Sequence, residues 1–147
     1  MSFKINIGTK EGKTIKLEVE APELEGKELG QTIQGELVSP NLVGYEFEIR
    51  GTSDNAGFTS MENIDGIALK KSLLTYGKAM HKRSRREGKK HRMSLKPRGL
   101  RLRKTVRGKV ISPAITQINL KMIKEGNKKL QEVFADQFVQ APAEATA

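Results

Sequence analysis

A chain of 147 residues with 27 Lys+Arg, 17 Asp+Glu, a net charge of +10 and no cysteine excludes disulfides, thiol catalysis and Cys-ligated zinc, and suits one domain with a modest core. Hydrophobic side chains make up 36% and glycines number 14, the lower edge of globular composition, so part of the chain folds and part is solvated or held by a partner. No apolar run approaches the ~20 residues that cross a bilayer, and Met1 to Lys4 opens no secretion signal, which makes the cytoplasm the expected compartment.

Phe3, Ile5 and Ile7 alternate with Lys4 and Asn6, and after Gly8 to Gly12 the period of two resumes with Ile15, Leu17 and Val19. Two such runs joined by a glycine-bounded loop predict a half-buried hairpin. Pro22 stops it, and Glu23 to Gly30 is too short and glycine-rich for more than a turn or a single helical turn. Ile33, Leu37 and Val38, punctuated by Gly35 and Pro40, give at best a short strand. Tyr45, Phe47 and Ile49 alternate with Glu46, Glu48 and Arg50, a strand signal that ends in the turn formers Gly51 to Phe58, GTSDNAGF. Met61 to Tyr76 fits neither the helical nor the strand period. Past Pro113, Ile118, Leu120 and Met122 alternate with polar residues as a late strand that Gly126 stops. Asn127 is placed to cap a helix carrying Leu130, Val133, Phe134 and Phe138 on one face. Short strands with little helix predict a mainly β fold, a small β-barrel-like domain over 1–126 with an extended basic excursion at 78–109. A short C-terminal helix at 127–140 and a disordered tail at 141–147 follow.

The excursion holds most of the charge. Residues 78–109 contain 15 of the 27 basic residues but only one acid, Glu87, leaving 12 basic and 16 acidic groups elsewhere. Its cations are Lys78, Lys82, Arg83, Arg85, Arg86, Lys89, Lys90, Arg92, Lys96, Arg98, Arg101, Arg103, Lys104, Arg107 and Lys109. Unpaired ions cost several kcal/mol each to bury, so this row calls for water or anions. An extended, irregular row of arginine and lysine suits a nucleic-acid backbone, where each neutralised phosphate releases counterions and guanidinium groups bond phosphate in pairs. A membrane surface fits less well, because between Met80 and Leu100 only Met93 and Leu95 interrupt the polar run. No aromatic residue lies within the excursion, so phosphate and shape contacts are expected over base stacking. The scarcity of apolar residues from Lys82 to Arg98 predicts no fixed structure there before a nucleic acid neutralises the charge.

Other chemistry is weaker. His81 and His91 stand ten residues apart among cations, a repulsive setting for a metal ion. GTSDNAGF lacks the Gly-Lys-Ser/Thr ending of a phosphate-binding loop and reads as a structural turn. Asp54, Glu62 and Asp65 have the type of magnesium ligands, but nothing supplies a nucleophile or base beside them. Ser84 and Ser94 sit among basic residues, where a phosphate would subtract positive charge. No enzyme, metal, cofactor or small-molecule substrate is expected.

The stretches FKINIGTKEG (3–12), GYEFEIRGTSDNAGF (44–58), RKTVRGKVI (103–111) and QINLKMIKEG (117–126) together resemble the small-subunit ribosomal protein six family of archaea and eukaryotes. Arg-Lys-Thr-Val-Arg-Gly is the most specific of them. The chain departs from the family pattern at Thr52, where a second glycine is common, and at Phe58-Thr59-Ser60-Met61, where Phe-Pro-Met is. It ends at Ala147 without the long basic C-terminal helix of eukaryotic members, which implies an archaeal-type member. The resemblance implies a β-barrel-like domain on small-subunit rRNA among neighbouring ribosomal proteins, with Arg103, Lys104 and Arg107 in the most characteristic basic motif. The other partner compatible with the charge is DNA, in an architectural chromatin protein.

Overall fold

The computed structural model describes residues 2–80, 99–126, 128 and 130–134. The alternation at its start forms β1 (Phe3–Gly8) and β2 (Thr14–Val19), antiparallel with Phe3 opposite Val19 and Ile7 opposite Ile15. Phe3, Ile5, Ile7 and Ile15 are buried, as the period of two requires of one sheet face. The loop between the strands closes through Thr9 N–H to the Lys13 carbonyl at 2.9 Å, with Gly12 at φ +84°. Such a φ suits a residue without a Cβ.

Where the sequence predicts a turn or a single helical turn over Glu23 to Gly30, one 3-10 turn forms and begins at the proline, Pro22–Leu24. It is followed by β3 (Thr32–Gln34) and by two further 3-10 turns, Gly35–Leu37 and Pro40–Leu42. β4 spans Glu46–Asp54 and β7 spans Ile115–Lys124. The five strands make one sheet in the order β2-β1-β7-β4-β3, in which β1 and β7 run parallel, Ile5 opposite Ile118 and Ile7 opposite Leu120. The remaining pairs are antiparallel.

The chain is mainly β, as expected, but the described strands do not close into a barrel. β2 pairs only with β1 and three-residue β3 only with β4, so both stand at sheet edges. Closure would need those edges to pair. Instead the buried face is covered by side chains from turns and loops: Leu24, Val38, Leu42 and Ile111, joined by Leu130. Tyr45 and Phe47, two residues apart on that face, stack with ring centroids 5.8 Å apart. Of the expected C-terminal helix, α1 (Leu130–Val133) is described, with Phe134 N–H bonded to the Leu130 carbonyl at 3.0 Å. Asn127 and residues 135–147, including the expected tail, lie outside the described residues.

β4 is longer than its alternation suggested. It continues past Ile49 to Asp54, pairing Gly51 with Asn119 and Thr52 with Ile118 after a register shift between Ile49 and Gly51. A bulge inserts one residue, so side chains beyond it change face. Before it Phe47 and Ile49 are buried; after it Thr52 and Asp54 are, at 2% and 7% exposed. The bulge turns a carboxylate inward.

The segment without a clear period, Met61 to Tyr76, contains β5 (Leu69–Thr75). It pairs antiparallel with β6 (Arg101–Arg107) in a separate two-stranded ribbon, Leu69 opposite Arg107 and Thr75 opposite Arg101. The distal part of the basic excursion is therefore a strand. Residues 82–98, expected to lack fixed structure, lie outside the described residues.

Candidate nucleic-acid interface

The ribbon is anchored to the sheet by the connection between β4 and β5. GTSDNAGF forms a turn closed on itself: Asp54 N–H bonds the Phe58 carbonyl at 3.1 Å, and Phe58 N–H bonds Asp54 Oδ1 at 2.8 Å. The other carboxylate oxygen, Oδ2, accepts from Arg107 Nε and Nη2, both at 3.1 Å, while Arg107 Nη1 donates to the Ile67 carbonyl at 3.1 Å. The pair is nearly enclosed, with 13% of the Arg107 side chain and 5% of the Asp54 side chain exposed. Main-chain bonds reinforce it, from Arg107 N–H to the Thr59 carbonyl and from Met61 N–H to the Arg107 carbonyl, each at 3.0 Å.

Glu62 and Asp65, the other two carboxylates of metal-ligand type, are also ion-paired. Glu62 meets Lys78 Nζ at 3.3 Å, and Asp65 meets Lys109 Nζ at 3.0 Å. Lys78 also donates to the Arg50 carbonyl at 3.3 Å, and Lys109 has a second carboxylate in Glu28 at 3.1 Å. Hydrogen bonds to Asp65 and then Glu28, with their negative charge, raise the Lys109 ammonium above its ordinary value of 10.5. Thus the cations at the start and end of the basic excursion, Lys78, Arg107 and Lys109, are matched by Asp54 at the end of β4, by Glu62 and Asp65 of the β4–β5 connection and by Glu28. Of these pairs the enclosed one, Asp54 with Arg107, holds the segment to the sheet domain, while the exposed ones contribute little.

The remaining described cations of the excursion stand differently. Arg101 and Arg103 are exposed on β6 and Lys104 is half-buried there, and among the described residues none has an acidic partner. The register brings in Lys70 and Lys71 of β5, exposed and opposite Val106 and Thr105. Both were missed by a boundary drawn at Lys78. The signal was present in the adjacent lysines of Leu-Lys-Lys-Ser, but only strand pairing attaches them to Arg101 to Arg107. The other candidates, Lys82, Arg83, Arg85, Arg86, Lys89, Lys90, Arg92, Lys96 and Arg98, lie outside the described residues, as do His81, His91, Ser84 and Ser94.

The departures at Thr52 and Ser60 meet. Thr52 Oγ1 donates to Ser60 Oγ at 2.7 Å in a buried pair, and Ser60 N–H bonds the Thr52 carbonyl at 3.0 Å. A hydroxyl placed inside the turn is satisfied by a hydroxyl placed opposite, so the turn keeps its closure despite the altered residues.

A sheet domain holding out a cationic ribbon is thus the class of molecule that the residues define. The sequence model of the ribosomal protein S6e family matches residues 3–98 and 94–135, and the chain belongs to that family. Small ribosomal subunit protein eS6 of Methanococcus maripaludis is 35% identical over 131 residues, covering 88% of this chain and 94% of that protein. The protein of the same name from Methanosphaera stadtmanae is 35% identical over 141 residues, 92% of this chain and 95% of its own. That from Methanococcoides burtonii is 32% identical over 147 residues, 97% and 98% respectively. The resemblance carried by RKTVRG and its companion motifs holds over nearly the whole chain, and these three relatives are archaeal.

Proposed function

We propose that this chain is a structural, non-catalytic constituent of the small ribosomal subunit that binds rRNA through phosphate and shape contacts and supports translation in the cytoplasm. The carrying observation is the division of charge within a chain of this family. Cations at the ends of residues 78–109 are paired with Asp54, Glu62, Asp65 and Glu28, while Arg101, Arg103 and Lys104 between them have no acid among the described residues. In this reading the sheet domain over 1–126 is the anchor. The middle of the excursion, including the cations from Lys82 to Arg98, contacts phosphate. Arg107 chiefly positions the ribbon, because its guanidinium is already engaged by Asp54. Neighbouring ribosomal proteins would meet the remaining exposed surface.

Co-sedimentation tests the assignment. The protein is expected with small subunits in a cell lysate, and finding it mostly free at low salt would overturn the reading. If about six to ten cations meet phosphate, affinity for isolated rRNA falls by about 10³ to 10⁵ between 50 and 200 mM salt. A nearly flat response would remove phosphate as the dominant contact. Competition by bulk duplex DNA stronger than that of small-subunit rRNA would transfer the assignment to an architectural DNA binder.

A further inference from the structure

The solvent face of the β5–β6 ribbon carries a pattern that its anchoring does not use. Side chains two apart share a strand face, and on this face the cross-strand pairs are Thr75 with Arg101, Leu73 with Arg103, Lys71 with Thr105 and Leu69 with Arg107. Each pair sets one cation against one uncharged side chain. Arg107, at the base, is held by Asp54. Lys71, Arg101 and Arg103 are exposed and have no acidic partner among the described residues. Successive pairs on one face are about 7 Å apart, so the three cations mark roughly 14 Å of ribbon.

Leucines accompany them. Leu69 is 46% and Leu73 57% exposed, while Ser72 and Lys104, on the opposite face, are half-buried. That opposite face also carries the half-buried Leu74 and Leu102 and the buried Val106, so it is the inward one, and the two leucines of the solvent face are apolar side chains beyond what the inward packing needs. The solvent face is a poor centre for a protein interface, where apolar residues cluster and charges are depleted. Here Lys71 stands between Leu69 and Leu73, and each leucine faces an arginine across the ribbon. An A-form RNA helix offers the complementary surface, because its minor groove is wide and shallow, exposes ribose edges and is rimmed by phosphates. Ribose carbons suit isolated leucines, and phosphates suit cations at regular steps.

We propose that this face of the ribbon lies across the minor groove of an rRNA helix, with Lys71, Arg101 and Arg103 on phosphates and Leu69 and Leu73 against riboses. The proposal rests on the rRNA-binding reading above and adds to it a surface, a groove and the residue Lys71.

Neighbouring lysines on opposite faces provide the test. The full chain and its variants are titrated with folded small-subunit rRNA across a salt series, after amide spectra have shown that each variant folds as the wild type does. Lys71→Glu is expected to weaken binding about tenfold or more and Lys70→Glu less than about threefold, although both remove the same charge from adjacent exposed positions. Equal losses would overturn the assignment of the face. Arg103→Ala should lower the slope of log affinity against log salt by about one, whereas Leu73→Ser should weaken binding several-fold at unchanged slope, since it removes no phosphate contact. Unchanged affinity in Leu73→Ser would give the leucines to a protein neighbour and overturn the proposal. A wild-type chain that fails to bind rRNA overturns the functional reading and this inference together. A wild-type chain that binds, with Lys70→Glu and Lys71→Glu equivalent, overturns only the inference.

Discussion

Replacing Asp54 by asparagine changes the molecule by little volume and one charge, and it separates two kinds of ion pair. The introduced amide could still accept from Phe58 N–H, but opposite Arg107 it presents no charge to the two donors that Asp54 Oδ2 receives at 3.1 Å. Arg107 would keep the Ile67 carbonyl at 3.1 Å and a small opening to water. Breaking a buried ion pair costs about 3 to 5 kcal/mol, chiefly because the surviving charge is left without a partner. The 13% exposure of Arg107 puts the expected cost near the lower end, about 3 kcal/mol. Against a total stability of about 5 to 15 kcal/mol this is a large fraction. With a urea dependence of about 2 kcal/mol per molar, the unfolding midpoint falls by roughly 1.5 M.

Equilibrium urea unfolding at neutral pH measures this, with Glu48→Gln as the comparison. Glu48 meets Arg50 at 2.9 Å, a shorter contact than that of Asp54 with Arg107, but 58% of the Arg50 side chain is exposed. If distance governed the energy, Glu48→Gln would cost at least as much. If enclosure governs it, as the dielectric contrast requires, Glu48→Gln costs at most about 1 kcal/mol. A double change, Asp54→Asn with Arg107→Met, should cost less than the sum of the single changes by about 2 kcal/mol. A midpoint shift below about 0.5 M for Asp54→Asn, or additive single changes, would refute the assignment of the pair as the anchor of the ribbon.

Three further outcomes can be checked in the same way. Gly108→Ala would drive a Cβ into the carbonyl of Gly66, whose carbon it would meet at 2.5 Å, and because both partners are backbone the expected loss in urea unfolding is about 1 to 3 kcal/mol. Ser60→Ala removes the acceptor of the buried Thr52 hydroxyl at 2.7 Å and should cost about 1 to 3 kcal/mol, whereas Ser60→Ala combined with Thr52→Ala should recover part of that loss. Lys109, whose ammonium is raised above 10.5 by Asp65 and Glu28, contributes stability that is fully present below that value and is lost as pH rises through the raised one. The stability difference between wild type and Lys109→Met should therefore be constant from neutral pH to about pH 9 and should shrink above 10.5; a difference that shrinks between about pH 7 and 9 would contradict the pairing.

Strands with one buried and one wet face announced themselves. The alternations at Phe3 to Ile7, Tyr45 to Ile49 and Ile118 to Met122 became β1, β4 and β7 with those residues buried. Leu69 to Thr75 carried no such signal, because a ribbon that leaves Leu69 and Leu73 in water and half-buries Ser72 and Leu74 imposes no apolar period. Burial does alternate along the ribbon, but the exposed face carries Leu69 and Leu73 and the inner one Ser72, so the alternation is not written in apolar and polar residues. The parallel pairing of β1 with β7 was equally hidden, since it joins residues from opposite ends of the chain, as Lys4 with Gln117, and nothing local specifies it. At the site, the cationic segment was legible from charge alone. The partners of its ends were not, because Asp54 reaches Arg107 only after the bulge beyond Ile49 turns it inward, and a single inserted residue in a strand leaves no mark on composition.

That bulge also changes what the Arg-Lys-Thr-Val-Arg-Gly motif does. Read as a string, it is one basic cluster with equivalent cations. In the fold its residues divide by strand face and by distance from the sheet: Arg107 is committed to Asp54, Val106 is buried, and Gly108 admits the backbone of Gly66. Arg103 and Lys104, farther along the ribbon, have no acid among the described residues. Like charges on a thin ribbon repel one another, and a two-stranded ribbon is marginal in water on its own. A motif made only of phosphate-binding cations would therefore weaken the element that presents it. Placing an enclosed ion pair and a backbone contact at one end of the motif offsets that repulsion without neutralising the other end. The anchoring and the cationic surface then occupy one short run of consecutive residues, 103–108, so, on the proposed rRNA-binding reading, a substitution at Arg107 or Gly108 should weaken rRNA binding by displacing Arg103 rather than by removing a phosphate contact of its own; a salt titration of Arg107→Met that showed full affinity in a folded variant would refute this.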